Sequence, residues 1–445
     1  MARSKAEIRD LVQREDVQYI RLIFTDLLGI LKNVEIPVSQ LERMLDNNVA
    51  FDGSSVEGFV RILESDMLLH PDLDTFRIAT WEHSQTGKVA ACFCTVCGQD
   101  GQPFEGDGRV VLMRAVERMK AAGFSSFHIG FEPEFYLLKT DECGRPLIEQ
   151  TDSGSYFDLA PIDTQVDCRR AIIHELIKAG FEVEAGHHEV GPGQHEINFM
   201  HADVVSSCDQ VLLFKLIVKN VAKRFGVHAT FMPKPKQGIA GSGMHTNMSL
   251  FDAEGKNAFN DPQGRMQLSD ITYQFIAGVM EHVIGFCAVT NPTVNSYKRL
   301  VSGYEAPCYV AYSDRNRSAL IRIPAPRGSR TRCELRMVDP TCNPYLAMAV
   351  VLEAGMDGIQ RKLDPKEPMH VDLFSLSHEE REALGVRELP RNLMEAYEAM
   401  AHSHLVRHVL GESLFQKFLR SREMEWNEYR QYVSSWEVQK YCERF

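Results

Sequence analysis

Apolar and polar side chains alternate in three stretches that lie far apart in the chain: Phe131-Glu132-Pro133-Glu134-Phe135, Gly243-Met244-His245-Thr246-Asn247-Met248-Ser249 and Arg332-Cys333-Glu334-Leu335-Arg336-Met337. A period of two predicts β-strands, in which residues two apart share a face. Glu132 and Glu134 then oppose Phe131 and Phe135. His245, Asn247 and Ser249 oppose Met244, Met248 and Leu250. Arg332, Glu334 and Arg336 oppose Cys333, Leu335 and Met337. Elsewhere the period lengthens to that of helices. Leu112, Val116 and Met119 share one helix face, and Gly123 ends that helix. Asp167 is placed to cap a helix carrying Ile172, Leu176 and Ala179 before Gly180. Val211, Phe214, Val218 and Phe225 mark a third helix, closed by Gly226. An extended segment follows each: 126–136, 181–189 and 227–232. This helix–glycine–strand unit predicts one sheet backed by helices, with the charged faces gathered on its other side.

The N-terminal part reads differently. Residues 21–26 and 34–36 suggest two strands joined through Gly29, and Ser39 is placed to cap a short helix. Val89 to Val96 reads as a buried strand. A turn-rich run, Cys97-Gly98-Gln99-Asp100-Gly101-Gln102-Pro103, followed by Gly106-Asp107-Gly108, marks a boundary. The expected division is 1–106 and 107–445. Helical patterns return at 264–290 and 344–361. The tail from 390 is helical and amphipathic, with Trp426 and Trp436 as its anchors. The class is α+β.

The 445 residues allow two domains with substantial cores, and 44% apolar against 25% charged residues is ordinary for a globular protein. A net charge of −12 argues against general nucleic-acid binding. No apolar h-region follows Met1, and no uninterrupted apolar run is long enough for a membrane span. Eleven scattered cysteines suit reduced thiols in a cytoplasm. Cys94-Thr95-Val96-Cys97 has no second pair at zinc-like spacing, so these cysteines read as structural.

Five carboxylates and one imidazole compose the candidate chemistry. To Glu132, Glu134, Glu334 and His245 the segment His187-His188-Glu189-Val190-Gly191-Pro192-Gly193-Gln194-His195-Glu196 adds Glu189 and Glu196, which the Gly-Pro-Gly turn can fold together. Such groups repel one another unless cations neutralise them, and oxygen donors with an imidazole suit Mg2+ or Mn2+. Singly, each segment is better explained as a solvated strand face; together, each with its apolar back face, they favour the cation site. Arg315, Arg317, Arg322, Arg327, Arg330, Arg332 and Arg336 crowd a window whose only acid is Glu334, which suits a phosphate or carboxylate site as well as surface or inter-subunit pairing. Neither a P-loop nor a kinase motif is present. Gly303 and Pro307 bracket a loop tipped by Glu305, and Phe51-Asp52-Gly53-Ser54-Ser55 forms a tight turn.

These segments resemble glutamine synthetases of the bacterial type I class, along essentially the whole chain. The likeness is carried by Phe51-Asp52-Gly53-Ser54-Ser55, Phe131-Glu132-Pro133-Glu134-Phe135, His188-Glu189 through Glu196, Gly241-Ser242-Gly243-Met244-His245, Asn295-Ser296-Tyr297-Lys298-Arg299, Gly303-Tyr304-Glu305-Ala306-Pro307, Asn316-Arg317-Ser318 and Asn343-Pro344-Tyr345-Leu346. The resemblance implies a small β-grasp domain, a larger catalytic domain with a curved antiparallel-rich sheet backed by helices, and ATP-driven joining of ammonia to L-glutamate through a γ-glutamyl phosphate. It implies two or three Mg2+ or Mn2+ ions per site, one on Glu134, Glu189 and Glu196 and another on Glu132, His245 and Glu334. Arg317 and Arg322 are expected at the γ-phosphate, and Glu184, Ser249 and Arg332 around ATP. Arg299 is expected at the α-carboxylate of glutamate, Gly241 at its amino group and Arg336 at the reacting carboxyl. The resemblance implies that Asp52 of a neighbouring copy deprotonates ammonium, in a pocket completed by Tyr156, Ser55 and Glu189, and that Glu305 closes over the acyl phosphate and accepts a later proton. The chain is similar to the compact class of Gram-positive bacteria. This implies glutamine feedback through Arg61, a nitrogen-responsive transcription repressor as partner, and a dodecamer of two stacked hexamers with active sites between subunits. It implies a cytoplasmic protein that engages neither membrane nor nucleic acid directly. Ala240 and Ser302 depart from the asparagine and proline usual there. A ligase for larger amines and a ring-forming or regulatory relative are the alternatives; the retained Asp52, Tyr156, Glu189 and metal ligands favour ammonia.

Overall fold

The computed structural model describes residues 3–445 except 57, 59–65, 83, 305 and 317. The N-terminal region forms a six-stranded sheet. Val17–Thr25 runs antiparallel to Leu31–Pro37 and parallel to Lys88–Cys97; Asp66–Pro71 and Val49–Asp52 extend the other edge. Ile20, Leu22, Cys92 and Cys94 are buried here, and all of the chain's cysteines are free thiols.

The second sheet has eleven strands and is organised on one long element, Phe124–Thr140. Met244–Asp252 and Val227–Thr230 pair along one side of it, and Gln194–Phe199 along the other. Beyond Met244–Asp252 come Cys333–Leu335, Ala319–Arg322, Tyr309–Ser313 and Arg387–Glu388; beyond Gln194–Phe199 comes Val183–His188. The described pairs are antiparallel except Tyr309–Ser313 with Ala319–Arg322.

The alternation read from the sequence holds. Met244, Thr246, Met248 and Leu250 are buried, while His245, Asn247 and Ser249 face the half-open side. Phe135 packs with Phe214 of the helix Val204–Arg224 and with Phe231, at ring separations of 6.1 and 5.6 Å. Each such ring contributes about 1.5–3 kcal/mol by leaving water, which fixes the strand's apolar face inward and its glutamates outward. The helix Asp270–Thr290 lies beside Pro344–Arg361. It is long and apolar enough to cross a membrane, and 56% of its apolar window is buried in the protein's own core.

Three local expectations are corrected. Ser39 does not cap a helix: the chain enters a short 3-10 turn through Pro37, and Ser39 lies inside it. Asp167 also lies inside its helix, Val166–Lys178, beside Arg170 at 3.2 Å, and Gln165 holds the cap position. Both are acceptors near a helix start, but the chain's approach places the first turn earlier. Trp426 packs against the core, whereas Trp436 is 57% exposed on the terminal helix Ser435–Tyr441, its ring meeting Tyr441 of the same helix at 5.7 Å.

Candidate active site

Strand register assembles the site. His245 lies opposite Glu132, Glu196 opposite both Glu134 and His187, and Asn247 opposite Glu334. Facing residues on paired strands have Cβ atoms about 5 Å apart, so five neighbouring strands present their acids and imidazoles to one cleft. Glu189 follows the strand Val183–His188. Its N–H donates to the Gln194 carbonyl at 2.8 Å, and Gly193, at φ +74°, turns the chain back.

Two donor groups result. Glu132, His245 and Glu334 bring one ligand atom each within 4.8 Å of one another, and so do His187, Glu189 and Glu196. His245 Nδ1 lies 3.6 Å from Glu132 and 3.7 Å from Glu334. Burial, with Arg336 beside it, pushes the His245 imidazole down to about 3, so it is neutral with a lone pair free for a cation. Glu134 stands against the second group. It accepts from the Gly243 N–H at 2.8 Å and from Gln194 Nε2 at 3.1 Å. Burial, then Glu189 and Glu196, hold its carboxyl well above the usual carboxylate range. Crowded carboxylate oxygens and neutral imidazole are the donors of hard divalent cations, and a cation here relieves the repulsion that raises Glu134.

Guanidinium groups surround these donors. Arg322 and Arg336 both pair with Glu334, the latter at 3.3 Å. Arg299 is buried and donates to the Met337 and Arg336 carbonyls at 2.7 and 2.9 Å, which fixes its fork. A Cβ on Gly243 would lie 2.5 Å from Arg299 Nη2, so only glycine allows that approach. Arg332 donates to Asn247 at 2.8 Å, and Asn247 donates to Glu132 at 2.9 Å. Glu184 acts electrostatically on Arg332, and Ser249 Oγ donates to the neighbouring Thr331 carbonyl at 3.0 Å.

The cleft has two chambers. The larger, about 510 Å3, is lined by Glu134, Glu189, Gly241, His245, Arg299 and Arg336, among others. The smaller, about 260 Å3, shares Glu134, Glu189, His245 and Arg336 and adds Glu132, Tyr156, Glu196, Arg322 and Glu334. Tyr156 meets the His187 ring edge-on at 5.8 Å.

Asp52 and Ser55 line neither chamber. They sit on the N-terminal sheet's turn, where the Asp52 carboxylate accepts from the Ser54 N–H at 2.8 Å. Arg61, Glu305 and Arg317 lie outside the described residues, although Gly303, Tyr304 and Ala306 line the larger chamber. Ala240 presents its carbonyl to Tyr136 Oη at 2.7 Å, a contact independent of its side chain. Sequence reasoning missed His187 and Gln194 as site residues. His187 stands two positions before Glu189, a spacing that signals a shared face; nothing local marks Gln194.

Fold and cleft together define an α+β enzyme with hard-cation donors and fixed guanidinium groups around a cavity of small-molecule size. Comparison gives the particular family. Residues 16–99 match the model of the glutamine synthetase beta-Grasp domain, and residues 105–441 match that of the glutamine synthetase catalytic domain. The glutamine synthetases of Staphylococcus epidermidis and Staphylococcus aureus are 54% and 53% identical over 442 residues, which is 99% of this chain and of theirs. Among solved structures, a GmaS/ADP complex superposes with a TM-score of 0.88 at 30% identity, covering 100% of both chains. Plasmodium falciparum glutamine synthetase shares the fold with a TM-score of 0.86 at 24% identity, covering 99% of each chain. The chain belongs to the glutamine synthetase family. Its activity is that of a glutamate–ammonia ligase, the ATP-dependent synthesis of glutamine. Membership also implies use of a divalent metal, with which the two donor groups are chemically compatible.

Proposed function

We propose that this ligase works in two chemical steps within the one cleft. An oxygen of the glutamate γ-carboxylate attacks the γ-phosphorus of ATP, the bond to ADP breaks, and γ-glutamyl phosphate forms. Ammonia then attacks the acyl carbon, phosphate leaves, and the amide results. Phosphoryl transfer of this kind needs positioning and charge neutralisation more than covalent help.

Glu132, His245 and Glu334 would hold one divalent ion, Mg2+ or Mn2+. Glu134, Glu189 and Glu196 would hold another, with His187 beside them. When bound, these ions neutralise phosphate charge. The chain's own residues do the rest. Arg322, with Arg317, faces the transferring phosphoryl group, and Arg336 orients the reacting carboxylate. Arg299 takes the α-carboxylate in its fixed fork, and the Gly241 carbonyl accepts from the α-ammonium group. Glu184, Ser249 and Arg332 serve the nucleotide end. Asp52 of a neighbouring copy takes the proton from ammonium, in a pocket with Tyr156, Ser55 and Glu189, and Glu305 keeps water from the acyl phosphate.

The observation that carries this reading is the register: it brings both donor groups into the same cleft as Arg299 and Arg336. The placement of Asp52 and Ser55 away from their own chain's chambers supports a site completed between copies, hence a homo-oligomer, with the stacked double hexamer as its form. We assign the protein to the cytoplasm, its division at residues 1–106 and 107–445, Arg61 to glutamine feedback, and a nitrogen-responsive repressor as partner. Phosphate release with glutamate and ATP, comparing ammonium, ethylamine and putrescine, tests the substrate. Ammonium is expected to be preferred; preference for a larger amine refutes the ammonia pocket, and no release with any amine refutes the enzyme. An Arg61→Ala protein whose glutamine inhibition curve is unaltered refutes the feedback role.

A further inference from the structure

Two loops border the larger chamber: one runs through Gly238, Ile239, Ala240 and Gly241, the other through Gly303, Tyr304 and Ala306. Lys234 touches both. Its ammonium lies 3.6 Å from the centroid of the Tyr304 ring and donates to the Ile239 carbonyl. The lysine is itself held. Its backbone N–H donates to Asn295 Oδ1 at 2.8 Å, and Asn295 Nδ2 donates to its carbonyl at 2.9 Å. The residue is only 8% exposed and is not part of the chamber wall. Burial, then the charge of Arg299, lower its pKa, and the ring face and the carbonyl are the contacts that favour its charged form.

We propose that Lys234 is a positioning residue that clamps the two loops together, fixing the Gly241 carbonyl on one side and the Tyr304 loop on the other at the spacing glutamate requires. The proposal rests on the reading of this chamber as the glutamate site. It predicts an asymmetry: the clamp shapes the glutamate side and leaves the nucleotide end, at Ser249 and Arg332, untouched.

Steady-state kinetics of the intact assembly test it with Lys234→Met, Tyr304→Leu and Tyr304→Phe, each checked for an unchanged thermal midpoint. Loss of a desolvated cation–ring contact shifts a loop equilibrium by roughly tenfold, so KM for glutamate is expected to rise roughly tenfold in Lys234→Met and Tyr304→Leu, with KM for ATP within about twofold of the parent. Tyr304→Phe keeps the ring face and is expected to keep the parental KM for glutamate. The double variant is expected to be no worse than the worse single, because both remove one contact. Equal rises in both KM values, an unchanged KM for glutamate in both single variants, or additive effects in the double variant would overturn the clamp. Arg299→Lys separates the two levels. If it raises KM for glutamate while Lys234→Met does not, the clamp alone falls; if it leaves that KM unchanged, the glutamate assignment falls and the clamp with it.

Discussion

Gln194 is the residue on which the geometry of Glu134 turns, and Gln194→Leu measures how much. The side chain is 1% exposed and makes four hydrogen bonds. Nε2 donates to Glu134 at 3.1 Å and to the Gly241 carbonyl at 3.0 Å. Oε1 accepts from the Gly191 N–H at 2.9 Å and from Tyr136 Oη at 3.3 Å. Leucine fills nearly the same volume, so the change removes polarity rather than packing. Two partners keep a second bond: Tyr136 still donates to Ala240, and Glu134 still accepts from Gly243. Gly241 itself lines the chamber, where water can replace the donor its carbonyl loses. The lost bond to the carboxylate accounts for about 1.5–3 kcal/mol, and the Gly191 N–H, if left without a partner, for about 1–3 kcal/mol. A loss of about 2.5–6 kcal/mol in the stability of the metal-free protein is therefore expected. Displacing the support of a metal-binding carboxylate commonly costs 10–100-fold in affinity, and the same range is expected for Mn2+ here. Chemical denaturation gives the first quantity, and the resonance of free Mn2+ during titration gives the second. Mn2+ affinity within about twofold of the parent, alongside the expected loss of stability, would show that Gln194 braces the hairpin without aiming Glu134, and would refute the reasoning.

Removing divalent metal is expected to lower the thermal midpoint, because the cleft's carboxylates then repel unscreened. Mn2+ restored at a hundred times its dissociation constant should return about 2.7 kcal/mol, and a midpoint indifferent to chelator and metal refutes the donor assignment. Arg109→Met tests the tie between the two regions. The Arg109 guanidinium is buried, bridging Asp72 at 2.6 Å and Asp209 at 2.9 Å, and its loss strands the Asp209 charge. About 3–5 kcal/mol of destabilisation is expected in denaturation curves, and a loss below about 1 kcal/mol refutes the bridge. Lys215 supplies a pH dependence. Burial pulls its pKa from 10.5 to about 8, while its Nζ donates to the Pro340 carbonyl at 3.0 Å. The unfolded chain binds the extra proton between those values, so stability rises with pH from about 8 to 10.5 and the cost of the buried charge is full below 8. Lys215→Met is expected to raise the midpoint at pH 7 and to flatten that rise; an unchanged pH profile in thermal scans refutes it.

What the sequence made legible is what a single strand determines. Alternation at 131–135, 243–249 and 332–337 is a local property, because a period of two separates faces before any partner is known. The faces therefore came out correctly. Register is not local. That His245 meets Glu132, rather than a residue one place along, depends on the burial of Met244, Met248 and Leu250 against the same core as Phe127, Ile129 and Phe131. His187 enters a donor group only because the Gly191–Gly193 turn sets Glu196 against it. Gln194 is neutral and unpatterned, and its value lies wholly in what it touches. Ser39 and Asp167 mislead in the opposite way: each has good cap chemistry at a place where the backbone has already entered its helical turn.

The two faces of Phe124–Thr140 act as one device. Glu134 is buried beside Glu189 and Glu196, an arrangement that electrostatics alone would push apart. It persists because residues alternating with these acids cannot move outward. Phe131 and Phe135 are 1% and 0% exposed, and Ile197, beside Glu196, is 0% exposed. Turning any of these strands by one residue to separate the carboxylates would expose those side chains, at about 1.5–3 kcal/mol apiece. The apolar side of the sheet thus holds the polar side in a configuration that is unfavourable without cations, and a site built this way favours a divalent ion before substrate arrives. Carboxylate oxygens and a neutral imidazole, kept together by packing on the opposite face, are a donor set that suits hard cations.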